Sequence, residues 1–126
     1  MEASMKRVLV VDDDPQVLSL TARWLRAAGY DPVMSNDFRD ARIQIQVCEP
    51  SIVVADVRLG SFNGIQLGLL ARRIRFDAGV VIISGWDDVS LRREAAQMGA
   101  EYLQKPFQAN DLLSAMDRAT GTPQQH

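Results

Sequence analysis

Four polar segments carry residue types that can bind a metal ion or a phosphate group, and each follows a short apolar run. The segments are Asp12-Asp13-Asp14, Asp56, Ser84-Gly85 and Lys105-Pro106. The first three runs are continuous and β-branched, which is typical of strands buried on both faces of a parallel sheet. Because the carboxyl ends of parallel strands meet at one edge, we expect the four segments to lie close together.

Several carboxylates at one sheet edge require a compensating cation. Two carboxylates about 4 Å apart repel by roughly 4 kcal/mol at an effective dielectric constant of 20. Their pKa values would rise if no cation were bound. Mg²⁺ suits such a site, since it takes one or two carboxylates and keeps room for water and phosphate oxygens. The sequence therefore predicts an Mg²⁺ site at this edge.

Asp56 stands alone at the end of the central predicted strand, which makes it the candidate nucleophile. A carboxylate beside Mg²⁺, with a lysine and a hydroxyl opposite, is equipped to attack a phosphorus atom. The metal ion and the ammonium group stabilise the charge on the transferring oxygens. The segments therefore predict phosphoryl-transfer chemistry.

Each segment also has a simpler interpretation when it is taken alone. Asp14-Pro15 fits a helix N-cap followed by proline in the first turn. Asp12 or Asp13 alone would be a cap or turn residue, and Ser84-Gly85 and Lys105-Pro106 would be surface loops. Only their joint placement at the ends of four strands favours a functional site.

The predicted elements alternate between strand and helix five times. Strands are predicted at residues 8–11, 52–55, 80–83 and 102–103, with a short edge strand at Asp31–Ser35 because this segment contains proline. Segments of helical periodicity lie between them. Such alternation demands right-handed crossovers, hence an open, doubly wound α/β sheet with helices on both faces. A closed eight-stranded barrel needs about 250 residues and is excluded by the length of 126.

Composition indicates one globular domain, with 47% hydrophobic and 24% charged residues. The net charge of −2 argues against direct nucleic-acid binding, and the arginines of residues 72–75 are expected to lie on a solvated helix face. No apolar run reaches membrane-spanning length. A single cysteine, Cys48, excludes an internal disulfide, and a single histidine, His126, excludes a histidine-based metal cage. We expect a cytoplasmic domain at residues 5–119, followed by a disordered tail or the start of a linker at 120–126.

The polar segments, taken in order with their flanking residues, resemble the receiver domain of two-component response regulators, the CheY-like domain. The matching pieces are Val10-Val11-Asp12-Asp13-Asp14-Pro15, Val54-Ala55-Asp56 with Gly64, Ile83-Ser84-Gly85 and Lys105-Pro106-Phe107. The resemblance covers about residues 5–119. It implies a flavodoxin-like, doubly wound, five-stranded parallel sheet in the order 2-1-3-4-5 with five helices, and a cis Lys105-Pro106 peptide.

The resemblance also implies a role for each site residue. Asp56 would be the phosphoryl acceptor. Asp12 and Asp13 would hold Mg²⁺ together with Asp56 and the backbone carbonyl of Arg58. The phosphoryl group would be bound by Ser84 and Lys105.

Three further residues have roles that the resemblance implies. Tyr102 would be the aromatic switch residue that turns inward when Ser84 moves. Arg58 and Trp86 would occupy the two variable positions that flank the site and tune the lifetime of the phosphoryl group. We hypothesise that the Trp86 ring shields the acyl phosphate from water.

The function implied is that of a phosphorylation-activated switch in bacterial phosphorelay signalling. A sensor histidine kinase or a phosphotransfer protein would donate a phosphoryl group from phosphohistidine to Asp56. The domain would catalyse its own phosphorylation and dephosphorylation without turning over an external substrate. The surface of the fourth helix, fifth strand and fifth helix would then control an output partner or output domain. Homodimerisation through this region stays open.

Two alternatives remain. Residues 10–14 can be read as the Asp-x-Asp motif of a haloacid-dehalogenase-type phosphatase, with Asp12 as nucleophile. Gln16 stands where that family has Thr or Val, no acidic pair follows the lysine at a further strand end, and the chain is short for that fold. The other alternative is a degenerate receiver that binds partners without phosphorylation. The intact set of site residues argues against it: Asp12, Asp13, Asp56, Ser84 and Lys105.

Overall fold

The computed structural model describes residues 5–121, and within that range it contains seven strands and five helices. The strands are β1 (Arg7–Val11), β2 (Asp31–Ser35), β3 (Ile52–Asp56), β4 (Arg58–Leu59), β5 (Phe62–Asn63), β6 (Gly79–Ser84) and β7 (Glu101–Gln104). The helices are α1 (Pro15–Ala27), α2 (Phe38–Cys48), α3 (Gly64–Ile74), α4 (Val89–Gln97) and α5 (Ala109–Thr120).

Five of the strands form one parallel sheet in the order β2-β1-β3-β6-β7. When the short strands β4 and β5 are left aside, this is the predicted order 2-1-3-4-5. The flavodoxin-like α/β fold is therefore confirmed. The proline-containing segment Asp31–Ser35 forms the edge strand β2, as its composition predicts.

Apolar residues on both faces of the central strands bury the sheet between two layers of helices. Every residue of β3 and β6 is buried. Val8, Val54 and Ile83 pack towards residues of α1 and α5, whereas Leu9 and Val53 pack towards α2 and α3. Burying one such aliphatic side chain stabilises a fold by about 1.5–3 kcal/mol. This double coverage explains why the strands read as continuous apolar runs.

Aspartates at the helix starts act as N-caps. Asp14 accepts a hydrogen bond from the Gln16 N–H at 2.9 Å, and Pro15 is the first residue of α1. Asp88 accepts from the Leu91 N–H at 3.1 Å at the start of α4. These carboxylates satisfy amide groups that have no partner inside the helix.

Two features differ from the sequence-based expectation. Arg58–Leu59 and Phe62–Asn63 pair as a short antiparallel hairpin, which was not predicted because two-residue strands have no detectable periodicity. Helix α5 ends at Thr120, one residue beyond the expected domain boundary. Residues 122–126 of the expected tail lie outside the described residues. Among the residues described, no helix has the length and apolarity to cross a membrane.

Arg72 is not the solvated arginine that the sequence predicts, because its side chain joins three elements. Its Nε donates to the Ala78 carbonyl, just before β6, at 2.8 Å. Its terminal nitrogens donate to the carbonyls of Met98 and Gly99 at the end of α4. The prediction for residues 72–75 is therefore wrong at Arg72.

Replacing Arg72 by methionine should lower the free energy of unfolding by about 2 kcal/mol, because several carbonyl groups lose their donor while the apolar stem is retained. Urea denaturation measures the change. Arg73→Met is the matched control, since Arg73 is the next residue of α3 and is exposed. Equal effects of the two substitutions would contradict the assigned role.

Candidate functional site

Adjacent strands of the sheet place the predicted site residues at one edge. Asp12 follows β1, Asp56 ends β3 and Ser84 ends β6. Lys105 follows β7, and its peptide bond to Pro106 is cis. The four segments singled out in the sequence therefore converge, as the parallel arrangement predicts.

Three carboxylates form a cluster at this edge. Asp12, Asp13 and Asp56 each offer one carboxylate oxygen, and these oxygens lie within 4.8 Å of one another. Asp12 and Asp56 are buried, whereas Asp13 is exposed, so the cluster opens to solvent on one side. Asp14 does not belong to the cluster, because its carboxylate caps α1.

Lys105 joins the two buried carboxylates. Its Nζ donates to Oδ2 of Asp12 at 3.0 Å and to Oδ2 of Asp56 at 3.1 Å. Burial on its own would lower the pKa of Lys105, but the hydrogen bonds and charges of the two aspartates outweigh it, and the pKa is raised. The ammonium group therefore stays protonated beside the candidate nucleophile.

Asp12 carries an electrostatic cost. Its pKa is raised, first by burial and also by the charge of Asp56, while the Asp14 N–H and Lys105 oppose the rise. Lys105 alone therefore does not compensate the buried charge. A divalent cation bound by the three carboxylates would do so, and an all-oxygen donor set open to water fits Mg²⁺.

Arg58 and Trp86, predicted to flank the site, contact each other. The Arg58 guanidinium lies 4.7 Å from the centroid of the Trp86 ring, within cation–π range. The backbone N–H of Arg58 donates to Oδ1 of Asp56 at 3.2 Å. The metal-ligand role of the Arg58 carbonyl stays a prediction. The contact between the two side chains was not predicted, since nothing in the spacing of the two residues along the chain indicates it.

The two predicted switch residues share one hydrogen-bond acceptor. Ser84 Oγ donates to the Trp86 carbonyl at 3.1 Å and accepts from the Trp86 N–H, also at 3.1 Å. The Tyr102 hydroxyl donates to the same carbonyl at 2.6 Å. The hydroxyl groups of Ser84 and Tyr102 therefore compete for the Trp86 carbonyl oxygen, and a movement of the Ser84 hydroxyl changes how strongly Tyr102 is bound there.

Gly64 positions the acceptor strand through close backbone contact. An added Cβ at this residue would overlap the Asp56 carbonyl oxygen and lie 3.3 Å from the Ala55 Cβ. Asn63 caps the helix that begins here, accepting from the Ile65 N–H at 2.8 Å. The sequence matched Gly64 to the family pattern, but the contact itself is visible only in three dimensions.

Comparison with known proteins gives consistent matches. A family model described as the response regulator receiver domain matches residues 8–117. The photosynthetic apparatus regulatory protein RegA of Rhodobacter capsulatus is 31% identical over 114 residues, which are 90% of this chain and 62% of RegA. The DNA-binding response regulator MtrA of Mycolicibacterium smegmatis is 30% identical over 117 residues, covering 90% of this chain and 50% of MtrA.

Solved structures agree with this result. The beryllofluoride-activated NtrC4 receiver domain dimer superposes with a TM-score of 0.83 at 30% identity, covering 93% of this chain and 98% of that one. The match thus covers most of this chain and nearly all of an isolated receiver domain. The chain spans less than two thirds of the two curated relatives.

Proposed function

The chain belongs to the response regulator receiver family, and from that premise we propose that it is a phosphorylation-activated switch with Asp56 as the phosphoryl acceptor. One observation carries the proposal: Lys105 Nζ contacts both Asp12 and Asp56, beside the third carboxylate of Asp13. This arrangement holds a nucleophile, a cation and a set of metal-ligating oxygens within one small site.

The reaction is a transfer of the phosphoryl group from a phosphohistidine to a carboxylate. An Asp56 oxygen attacks phosphorus, the phosphorus–nitrogen bond breaks, and the imidazole nitrogen keeps the electron pair. Asp12, Asp13, Asp56 and the Arg58 carbonyl would hold Mg²⁺, which would supply charge stabilisation to the phosphoryl oxygens. Lys105 binds another phosphoryl oxygen and so replaces one of its present carboxylate contacts.

Phosphorylation then acts through Ser84 and Tyr102. The Ser84 hydroxyl leaves the Trp86 carbonyl and binds a phosphoryl oxygen, since an anionic acceptor forms the stronger hydrogen bond. Tyr102 turns into the space that Ser84 vacates. These local changes bias the surface formed by α4, β7 and α5, the fourth helix, fifth sheet strand and fifth helix.

The partners follow from this mechanism. A sensor histidine kinase or a phosphotransfer protein supplies the phosphoryl group, and an output domain or downstream protein binds the surface of α4, β7 and α5. The receiver unit of residues 5–119 catalyses its own phosphorylation and dephosphorylation in the cytoplasm, without direct nucleic-acid or membrane binding. Dimerisation through α4 and α5 is a further expectation.

Intact mass after incubation with Mg²⁺ and acetyl phosphate tests the acceptor. The native chain should gain one phosphoryl group, and Asp56→Asn should gain none. Asp87→Asn, an exposed carboxylate outside the cluster, is the matched control and should gain the group normally. If Asp56→Asn still gained a phosphoryl group, the result would favour Asp12 as the acceptor, as the phosphatase alternative requires. No gain in any folded form would favour the degenerate receiver.

Trp86→Ala should shorten the lifetime of the phosphoryl group several-fold, because the proposed shield of the acyl phosphate and the contact of the ring with Arg58 would both be lost. The bonds of Ser84 and Tyr102 involve the backbone of residue 86 and are unaffected by loss of the side chain. The decay of the phosphorylated mass with time measures the effect. Trp86→Phe should retain most of the lifetime, and an unchanged decay in Trp86→Ala would refute the shielding role.

A further inference from the structure

Exposed apolar side chains concentrate on one part of the fold that the proposed switch does not use. Eleven large apolar side chains are exposed among residues 5–121, and five of them lie on α2, on α3 or in the turn after α3: Ile43, Val47, Leu69, Ile74 and Phe76. Single exposed apolar residues are normal, but a cluster of this kind marks an interaction site.

The geometry of the two helices brings these residues onto one side of the molecule. Ile43 and Val47 are one helical turn apart on α2, so they lie on the same face. The Arg75 guanidinium donates to the Glu49 carbonyl at 3.2 Å, which ties the end of α3 to the end of α2. Phe76, the next residue, is 87% exposed at this junction.

A groove of about 370 Å³ runs between α2 and α3, and two arginines are part of its wall. Its lining consists of Phe38, Arg42, Gln66, Leu69, Leu70 and Arg73. Together with Ile43, Val47 and Phe76, these residues are called the α2–α3 surface below. Its groove is lined by apolar side chains, by the Gln66 amide and by the guanidinium groups of Arg42 and Arg73.

Arg42 and Arg73, the two arginines of the groove, are available for a partner. Arg7, Arg75, Arg92 and Arg118 form ion pairs with acidic side chains of the chain itself. Within residues 5–121, Arg42 and Arg73 form no such pair, and no acidic residue lines the groove. Two guanidinium groups beside an apolar groove are complementary to carboxylates next to apolar side chains.

We propose that the α2–α3 surface docks an acidic amphipathic helix of a partner protein. Its apolar side chains, repeating at three- and four-residue steps, fill the groove over Leu69 and Leu70. Its carboxylates pair with Arg42 and Arg73. A nucleic acid fits less well, because apolar side chains line half of the groove and the chain has a net charge of −2. The surface includes no residue of α4, β7 or α5, so it is independent of the proposed output surface.

Two synthetic helical peptides of equal length are the probe, one with glutamates flanking a leucine stripe and one with each glutamate replaced by lysine. Fluorescence anisotropy should detect binding of the acidic peptide. The double variant Arg42→Glu/Arg73→Glu should weaken it about tenfold or more. Arg23→Glu/Arg26→Glu makes the same charge change on exposed positions of α1 and should leave the affinity within about twofold. Leu69→Ser, which keeps every charge, should also weaken binding.

Amide chemical-shift mapping locates the bound peptide and should give changes confined to α2, α3 and the turn after α3. Circular dichroism confirms that each variant is folded. The proposal is overturned by no binding at millimolar peptide, by equal binding of the lysine peptide, or by equal weakening in the α1 control. Shift changes on another face, or duplex DNA binding that Arg42→Glu/Arg73→Glu removes, would overturn it as well.

Discussion

Alanine in place of Gly64 should lower the free energy of unfolding by about 3 kcal/mol. The new Cβ would overlap the carbonyl oxygen of Asp56 and lie 3.0 Å from its carbonyl carbon. Relief requires movement of the backbone of β3, the central strand, whose residues are all buried between two strand partners. A close-packed interior transmits such a shift rather than absorbing it.

The matched control is Gly85→Ala, because a Cβ at Gly85 meets no atom within 4 Å. Urea denaturation should show a change of only about 0.5 kcal/mol or less for that variant. The rate of phosphorylation by acetyl phosphate should also fall in Gly64→Ala alone, since Asp56 is the residue that is pushed. Equal stability of the two variants would contradict this expectation, because it would show that β3 accommodates the added methyl group without loss of stability.

Asparagine in place of Asp12 should have two effects of opposite sign. Without Mg²⁺ the variant should be more stable than the native chain by about 1 kcal/mol. Asp12 is only 2% exposed, and burial raises its pKa, so the charged form costs stability. An amide oxygen can still accept the hydrogen bond from the Asp14 N–H. With Mg²⁺, the added stability that the native chain gains on binding the ion should be lost.

The pH dependence follows from the direction of the pKa shift. A carboxyl group with a raised pKa binds its proton more readily in the folded chain than in the unfolded chain. The loss of stability caused by the charged Asp12 is therefore fully present above the pKa of this group in the folded chain. It disappears as the pH falls below the pKa of the group in the unfolded chain. The advantage of Asp12→Asn over the native chain should accordingly shrink on acidification.

Thermal unfolding with and without millimolar MgCl₂ measures both effects. Asp14→Asn is the matched control, since residue 14 caps α1, and asparagine caps a helix as well as aspartate does. The control should respond to Mg²⁺ as the native chain does. A full Mg²⁺ response in Asp12→Asn would exclude Asp12 from the metal site.

Most of the fold can be predicted from the sequence because the pattern of apolar residues indicates which segments are buried. The runs at residues 8–11, 52–55 and 80–83 are apolar throughout, since each is covered on both sides of the sheet. The start of α4 can be predicted from Asp88 because a cap acts within a few residues. The hairpin of β4 and β5 could not, because its pairing depends on a few backbone contacts without a side-chain pattern.

The composition of the site was predictable to a similar extent, whereas its contacts were not. Parallel strands bring their carboxyl ends together, so the convergence of Asp12, Asp56 and Lys105 follows from topology alone. The stacking of Arg58 on Trp86 depends on the rotamers of two exposed side chains. The bonds of Arg72 to three carbonyl groups likewise depend on how α3 packs beside the end of α4 and the start of β6. Contacts of this kind leave no periodic trace in the sequence.

The position of Lys105 has a consequence for the order of events during protein synthesis. Its ammonium group binds carboxylates that lie 93 and 49 residues earlier in the chain. A ribosome that has released Asp56 still holds this lysine, together with β7, which completes the edge of the sheet. A nascent chain therefore presents Asp12 and Asp56 before the lysine that joins them is available. The contact that joins Asp12, Asp56 and Lys105 can therefore form only when nearly the whole domain has emerged.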